Sequence, residues 1–256
     1  MYPVLFSIGN ITIYSFGLFL SLAILLCGVG LFILAKIAKL NVANFFDKYL
    51  LIIFVGLVCA RITYAILYPD AFKAPTGNFW SIFALWQGGL VFYGALIGGF
   101  ITFVLLYKYN KNTLPKWLDL VYLVFMLGMS IGQLGCTLGG CSVGATTDVM
   151  LSINNKIPAS LYESIFTLAL AIAGGIIYFK FSKIPKYKNG IIFVVGIATF
   201  LVGRMLIDYF KVAKYSLWGV TAYLWIDIII VSVIALLLFA TVLLKIVRFR
   251  TKKVSL

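Results

Sequence analysis

Histidine is missing from this 256-residue chain, and charge is scarce, with 11% of residues Asp, Glu, Lys or Arg. The first absence removes imidazole as a general base or metal ligand. The second excludes an ordinary soluble domain, in which about a quarter of residues are charged. Carboxylates are the rarest charged groups, seven against 21 basic residues. Four cysteines are too few for a disulfide scaffold. Cys27 and Cys59 fall inside apolar runs and read as small buried hydrophobes. No basic n-region precedes the first apolar run, which is too long for an h-region, so it is expected to be a retained span and not a cleaved signal. Internal repeats of fixed period and low-complexity tracts are also lacking.

What is present is apolar: 63% of residues are hydrophobic. Seven stretches are long enough to cross a bilayer, at residues 13–34, 49–68, 90–107, 118–134, 161–179, 191–210 and 228–244. Each matches the length needed for a hydrocarbon core of about 30 Å. They are continuously apolar, without the in/out alternation of a membrane barrel, so strands are excluded as the main element. The expected fold is therefore all-α: a polytopic integral membrane protein of seven transmembrane helices, residues 1–256 forming a single transmembrane domain. With the N-terminus outside, inner loops and tail hold 15 basic residues (among them Lys36, Lys39, Lys48, Lys116 and Lys180) and outer loops hold four, Lys73, Lys156, Lys211 and Lys214. That asymmetry predicts N-out and a cytoplasmic C-terminus. It also accounts for the net charge of +14 without any nucleic-acid partner. Residues 69–89 carry the aromatic run from Phe79 to Trp86 and are expected to lie at the outer interface. Residues 135–160 are expected to form an irregular outer loop. The basic tail 245–256 is expected to rest on anionic inner-leaflet lipid.

An ionisable side chain inside a span is costly and marks a functional site by default. Arg204 lies 13 residues past Ile191, which puts it roughly 20 Å into a core of about 30 Å. Arg61 lies 12 residues past Tyr49, at roughly 18 Å. Both are thus expected in the outer half, where Tyr93, Gln133, Glu163 and Asp208 also fall. Asp208 is four residues after Arg204, on the same helix face, where the two can pair. Snorkelling or local helix pairing explains one arginine as readily as function does. Two at one depth, with carboxylates and an amide, favour a polar cavity that opens outward and binds a phosphate. A guanidinium stays charged and offers forked donors to phosphate oxygens. In an outer leaflet, the phosphate at hand belongs to a phospholipid.

Glycines at 94, 98 and 128 fit ordinary small-residue helix packing. The run from Gly135 to Gly144 holds Gly139, Gly140, Cys136 and Cys141 and is expected to be irregular backbone in close contact with a ligand. For Cys136 and Cys141 three readings stand open: a short-loop disulfide, a reactive thiol pair, or inert small residues. Their C-x4-C spacing is not that of a zinc or thioredoxin site, so no metal is expected.

At these positions the chain resembles the prolipoprotein diacylglyceryl transferases of bacterial inner membranes. Pro3-Val4-Leu5-Phe6-Ser7-Ile8-Gly9 is similar to that family's N-terminal segment, and Arg61-Ile62-Thr63-Tyr64 to its G-x-R-x-x-Y stretch. Gly88 to Gly98 resembles G-G-x-x-F-H-G-G-L-I-G, with Tyr93 at the histidine and Phe16 at the family's first-span tyrosine. Pro158 to Glu163 resembles the family's H-P-x-Q-L-Y-E, with Ile157 at the histidine. Gly203 to Lys211 resembles R-F-x-x-E-x-x-R, with Asp208 at the glutamate. The signature G-R-x-x-N-x-x-x-x-E falls on Gly132 to Cys141, where Gln133, Cys136 and Cys141 replace arginine, asparagine and glutamate. The matches run in family order from residue 2 to residue 211.

The resemblance implies transfer of a diacylglyceryl group from phosphatidylglycerol, or a related anionic phospholipid, to the lipobox cysteine thiol of a prolipoprotein signal peptide. A thioether forms and glycerol phosphate leaves. No cofactor is implied, and the enzyme is expected in the bacterial cytoplasmic membrane with its site facing outward. On this reading Tyr93, Glu163, Arg204 and Asp208 are the candidate catalytic residues. Arg61, Gln133, Cys136, Cys141 and Gly144 are the candidate substrate contacts. Tyrosine, with a reference pKa of about 10, is a poor base, which leaves the thiol proton to Glu163 or Asp208. Two alternatives share the frame: a different lipid-linked transfer through a covalent intermediate on Cys136 or Cys141, and a non-catalytic lipid-binding protein. A solute transporter fits less well, because the intramembrane polar groups are expected at one depth.

Overall fold

The computed structural model describes residues 4–8, 11–69, 89–107, 113–140, 158–182, 189–209, 216–217 and 220–221. Six helices carry these residues: α1 Ser15–Ile37, α2 Phe45–Leu67, α3 Phe92–Tyr107, α4 Leu114–Gly139, α5 Ala159–Phe181 and α6 Ile191–Tyr209. All but α3 are long and apolar enough to cross a membrane, so the protein is a polytopic membrane protein. Two short antiparallel hairpins accompany the helices: β1 Val4–Ile8 with β2 Ile11–Tyr14, and β3 Ser216–Leu217 with β4 Val220–Thr221. The expected seventh span at 228–244, the tail 245–256 and all of 69–89 except Pro69 and Gly89 lie outside the described residues.

Helix limits differ from the expected spans for local reasons. The first helix starts at Ser15 and not at residue 13, because Ile11, Thr12 and Ile13 are β-branched and pair as a strand. The third starts at Phe92 and not at residue 90. Gly89 before it has φ +70°, outside helical space, and the Val91 N–H donates to the Ala60 carbonyl of α2 at 3.2 Å. At 16 residues, α3 is about 24 Å long. The fourth helix extends to Gly139, so residues 135–139 are helical and not irregular. Interior glycine weakens a helix by only about 1 kcal/mol, less than a well-packed neighbour returns. Here Gly135 receives α1 against it: a Cβ there would collide with the Phe19 side chain and reach the Phe16 Cα at 3.4 Å.

Large apolar side chains point outward along α1, α2, α5 and α6, with Leu25, Phe54, Ile176, Val195 and Leu206 all exposed. In water that surface would aggregate, whereas in a bilayer it meets acyl chains.

The described structure divides into two compact units, Gly28–Leu118 and a second formed by Met1–Cys27 with Asp119–Leu256. In the Gly28–Leu118 unit, α2 and α3 pack through small residues. Gly98 admits the Cys59 side chain, and Gly94 admits Thr63 together with the Cys59 carbonyl. The packing reading of these two glycines is therefore correct. Rings of Phe32, Phe45, Tyr107 and Trp117 gather where α1 ends, α2 begins, α3 ends and α4 begins. Lys36 lies 4.4 Å over Phe32 and Lys48 5.4 Å over Tyr107. Aromatic rings with lysines at a common helix end are the usual furniture of a membrane–water boundary.

In the other unit α4, α5 and α6 form a bundle. Gly174 of α5 admits Tyr122 and Leu123 of α4, and Gly196 of α6 admits the Tyr122 ring. At the end where α4 and α6 both begin, the buried Asp119 carboxylate caps α6: Gly190 N–H donates to Oδ2 at 2.7 Å and Phe193 N–H to Oδ1 at 2.9 Å. These are orphan donors of the first helical turn, and an anion there also complements the helix dipole. Sequence reasoning did not single out Asp119, and it adds a buried polar group far from the expected depth. Each bond to a charged acceptor contributes about 1.5–3 kcal/mol. Asp119→Ala is thus expected to destabilise the protein by about 3 kcal/mol or more. Asp119→Asn, which keeps one acceptor oxygen, should lose less. Thermal unfolding in detergent distinguishes the three proteins.

Candidate functional site

The polarity of α5 is inside out. Ser160, Glu163, Ser164 and Thr167 are buried at i, i+3, i+4 and i+7, while Ile165, Leu168, Ile172 and Ile176 are exposed. The 3.6-residue period gathers the first set on one face. That face looks into the bundle. Ser164 Oγ donates to the Ser130 carbonyl of α4 at 2.8 Å, and the two hydroxyls lie 3.2 Å apart. Thr167 Oγ1 donates back to the Glu163 carbonyl at 2.8 Å. These bonds fix the rotation of α5 and thereby the direction of Glu163.

Glu163 meets α6. Its Oε1 lies 3.3 Å from Arg204 Nη1, and Asp208 Oδ2 lies 3.7 Å from Arg204 Nε. The i,i+4 pair that the spacing allows is thus formed, and the Glu163 pair joins it across helices. All three side chains are buried. Arg204 also lies 6.0 Å over the Phe200 ring one turn earlier. The helices are brought close here because Gly203 leaves room for the Phe166 ring of α5. Counting from the capped Phe193, Arg204 is 11 residues along α6, or about 17 Å. The cluster therefore sits at the other end of the bundle from Asp119, where α4 ends and α5 begins.

Its electrostatics follow from its composition. Two carboxylates and one guanidinium give the trio a formal charge of −1 when all are ionised. Burying them is expensive unless each is paired, and removing one partner strands the rest. A guanidinium with a different carboxylate facing each of two nitrogens is held in orientation, which a recognition site requires.

The other expected site residues divide as follows. Gln133 and Cys136 lie on the last turns of α4, both half-buried. Cys141 and Gly144 lie outside the described residues. Arg61 and Tyr93 belong to the Gly28–Leu118 unit, and both are buried there. Arg61 Nη1 donates to the Gly89 carbonyl at 3.2 Å, and its guanidinium lies 5.7 Å over the Tyr64 ring. Tyr93 meets the Phe92 ring edge-on at 5.5 Å between centroids. The sequence reading missed Ser130, Ser164 and Thr167. The signal was available: S-x-x-E-S-x-x-T in an apolar run places four polar groups on one helical face. Among the described residues, no group of three or more Cys, Asp or Glu side chains is arranged to hold a metal ion.

Comparison with known proteins gives one consistent answer. The family model described as prolipoprotein diacylglyceryl transferase matches residues 3–246. A phosphatidylglycerol–prolipoprotein diacylglyceryl transferase of Prochlorococcus marinus (strain MIT 9215) is 27% identical, covering 96% of this chain and 91% of its own. Proteins of the same description from Nostoc sp. and Synechocystis sp. are 29% and 30% identical, each covering 80% of this chain and 77% of its own.

Proposed function

The chain belongs to the prolipoprotein diacylglyceryl transferase family, and on that premise we propose that it transfers the diacylglyceryl group of phosphatidylglycerol to the lipobox cysteine of a prolipoprotein. The observation that carries the chemistry is the buried Glu163–Arg204–Asp208 trio on α5 and α6. Arg204 binds the headgroup phosphate, and Asp208, one turn away, orients it. The thiol proton passes to a carboxylate of the trio, Glu163 being the base. The thiolate then attacks the glyceryl carbon, the C–S bond forms, and the C–O bond to phosphate breaks. Glycerol phosphate leaves with the electron pair of that bond, its growing charge held by the guanidinium. A base in this role needs a carboxylate beyond the one that neutralises Arg204, and the formal charge of −1 supplies it. The phenol of Tyr93 is the poorer acceptor. Arg61 is assigned a headgroup contact on the sequence argument alone, as are Gln133 and Gly144.

The protein is a multi-pass bacterial membrane protein. We assign it seven spans, an external N-terminus and a site open to the outer leaflet of the cytoplasmic membrane. The distribution of 15 inner against four outer basic residues supports that orientation. On that assignment the rings around Trp117, with Lys36 and Lys48 from the same 15, belong to the cytoplasmic boundary.

The test is direct. Purified protein in phosphatidylglycerol bilayers, incubated with a lipobox peptide, should yield the peptide with a diacylglyceryl thioether on its cysteine, read by mass spectrometry. Failure to form it under conditions in which a relative does so would refute the assignment. Replacing Cys136 and Cys141 together by Ser is expected to leave the yield intact. A loss of transfer together with a trapped lipid adduct on the unsubstituted protein would favour the covalent alternative.

A further inference from the structure

The β1–β2 hairpin has no role in the chemistry above, yet it is built for a surface. Its register pairs Phe6 with Ile13 and Ser7 with Thr12, so one face carries the apolar pair and the other the hydroxyl pair. A bulge between Val4 and Phe6 adds Leu5 to the exposed apolar set. Phe6 is 48% exposed and Val4 40%, although an isolated two-stranded hairpin needs its apolar face covered to be stable.

Two constraints locate what covers it. Among the described residues each strand has one partner and one unpaired edge, and unpaired edges do not occur in lipid-exposed backbone within the hydrocarbon layer. The hairpin also runs into α1 without a break, Tyr14 being followed by Ser15. The exposed Leu18, Leu22, Leu25 and Val29 continue down α1 as a membrane-facing row. A sheet with one apolar face and one hydroxyl face, fused to the end of a spanning helix, fits the zone between acyl chains and water. The contact of Phe16 and Phe19 with Gly135 near the end of α4 places that zone at the Glu163–Arg204 end of the same unit.

We propose that the β1–β2 hairpin lies flat in the phospholipid headgroup layer of the leaflet that holds the candidate site, its Phe6–Ile13 face against acyl chains and its Ser7–Thr12 face to water. The partner is the lipid surface itself, by continuity with the lipid-facing side of α1. The hairpin thus acts as an interfacial anchor at the rim of the site.

Photocrosslinking tests this without reference to transfer activity, so its failure is separable from failure of the enzymatic assignment. Benzoylphenylalanine is introduced at Phe6 in one protein and at Thr12 in another, each in nanodiscs of phosphatidylglycerol and each checked for monodispersity. After irradiation, intact mass should show phospholipid adducts at position 6, several-fold more than at position 12. A lipobox peptide or a second copy of the chain crosslinked at position 6 in place of lipid would overturn the proposal. So would the absence of any adduct there, or equal lipid labelling at both positions.

Discussion

Arg204→Gln should reduce thioether formation by about 10²–10³-fold in kcat, the loss seen when one donor to a developing oxyanion is removed. The side chain is already held by two carboxylates, at 3.3 and 3.7 Å, so its geometry is prepared before substrate arrives. Preorganisation of that kind matters most as the C–O bond breaks and charge moves onto the phosphate. Arg204→Lys keeps the charge but loses the planar fork that presents separate nitrogens to Glu163 and Asp208 and leaves others for phosphate. It is therefore expected to lose nearly as much as the glutamine variant. If the arginine only tied helices together, lysine would restore much of the activity. Kinetics of both variants, with phosphatidylglycerol varied at saturating peptide, separate the two cases.

Glu163→Ala should have the largest effect on stability. Breaking one side of a buried ion pair costs about 3–5 kcal/mol, because the remaining charge stays in a medium that solvates it poorly. Arg204 would lose the carboxylate that faces it from α5 while Asp208, on its own helix, stays beside it. The unfolding temperature in detergent should fall clearly below that of the parent. Glu163→Gln separates this loss from a chemical one. Glutamine is nearly isosteric and still accepts hydrogen bonds, but it cannot take a proton near neutral pH. The Gln variant should therefore unfold closer to the parent while transferring little. An active Glu163→Gln variant would move the base to Asp208, where Asp208→Asn would reveal it.

The spanning helices were legible because length, apolarity and lysine placement all act locally along a chain. Their ends were less so, since they depend on partners. The Gly89 turn is fixed by its carbonyl accepting from Arg61, 28 residues earlier, and α4 runs to Gly139 where Gly135 receives Phe19. The hairpin of Val4–Ile8 with Ile11–Tyr14 was not legible, because its two short strands are set by pairing with each other and Ile13 and Tyr14 continue straight into the apolar run of α1. Within the site, the Arg204–Asp208 pair follows from spacing alone. The link to Glu163 does not, because it joins positions 41 residues apart on different helices, and only the rotation of α5 set by Ser164 and Ser130 aims it. Asp119 escaped notice for a related reason: its capping role depends on the start of α6, 71 residues later.

The claim that Arg204 holds the donor lipid's phosphate is tested most directly by nuclear dipolar coupling. Protein labelled with ¹⁵N in its arginine guanidinium groups, in phosphatidylglycerol bilayers, should show ¹⁵N–³¹P dephasing at a separation of about 4 Å, the reach of a charge-assisted hydrogen bond to a phosphate oxygen. That component should vanish in Arg204→Lys. Dephasing that persists unchanged in the variant, or is absent from the parent, would contradict the account.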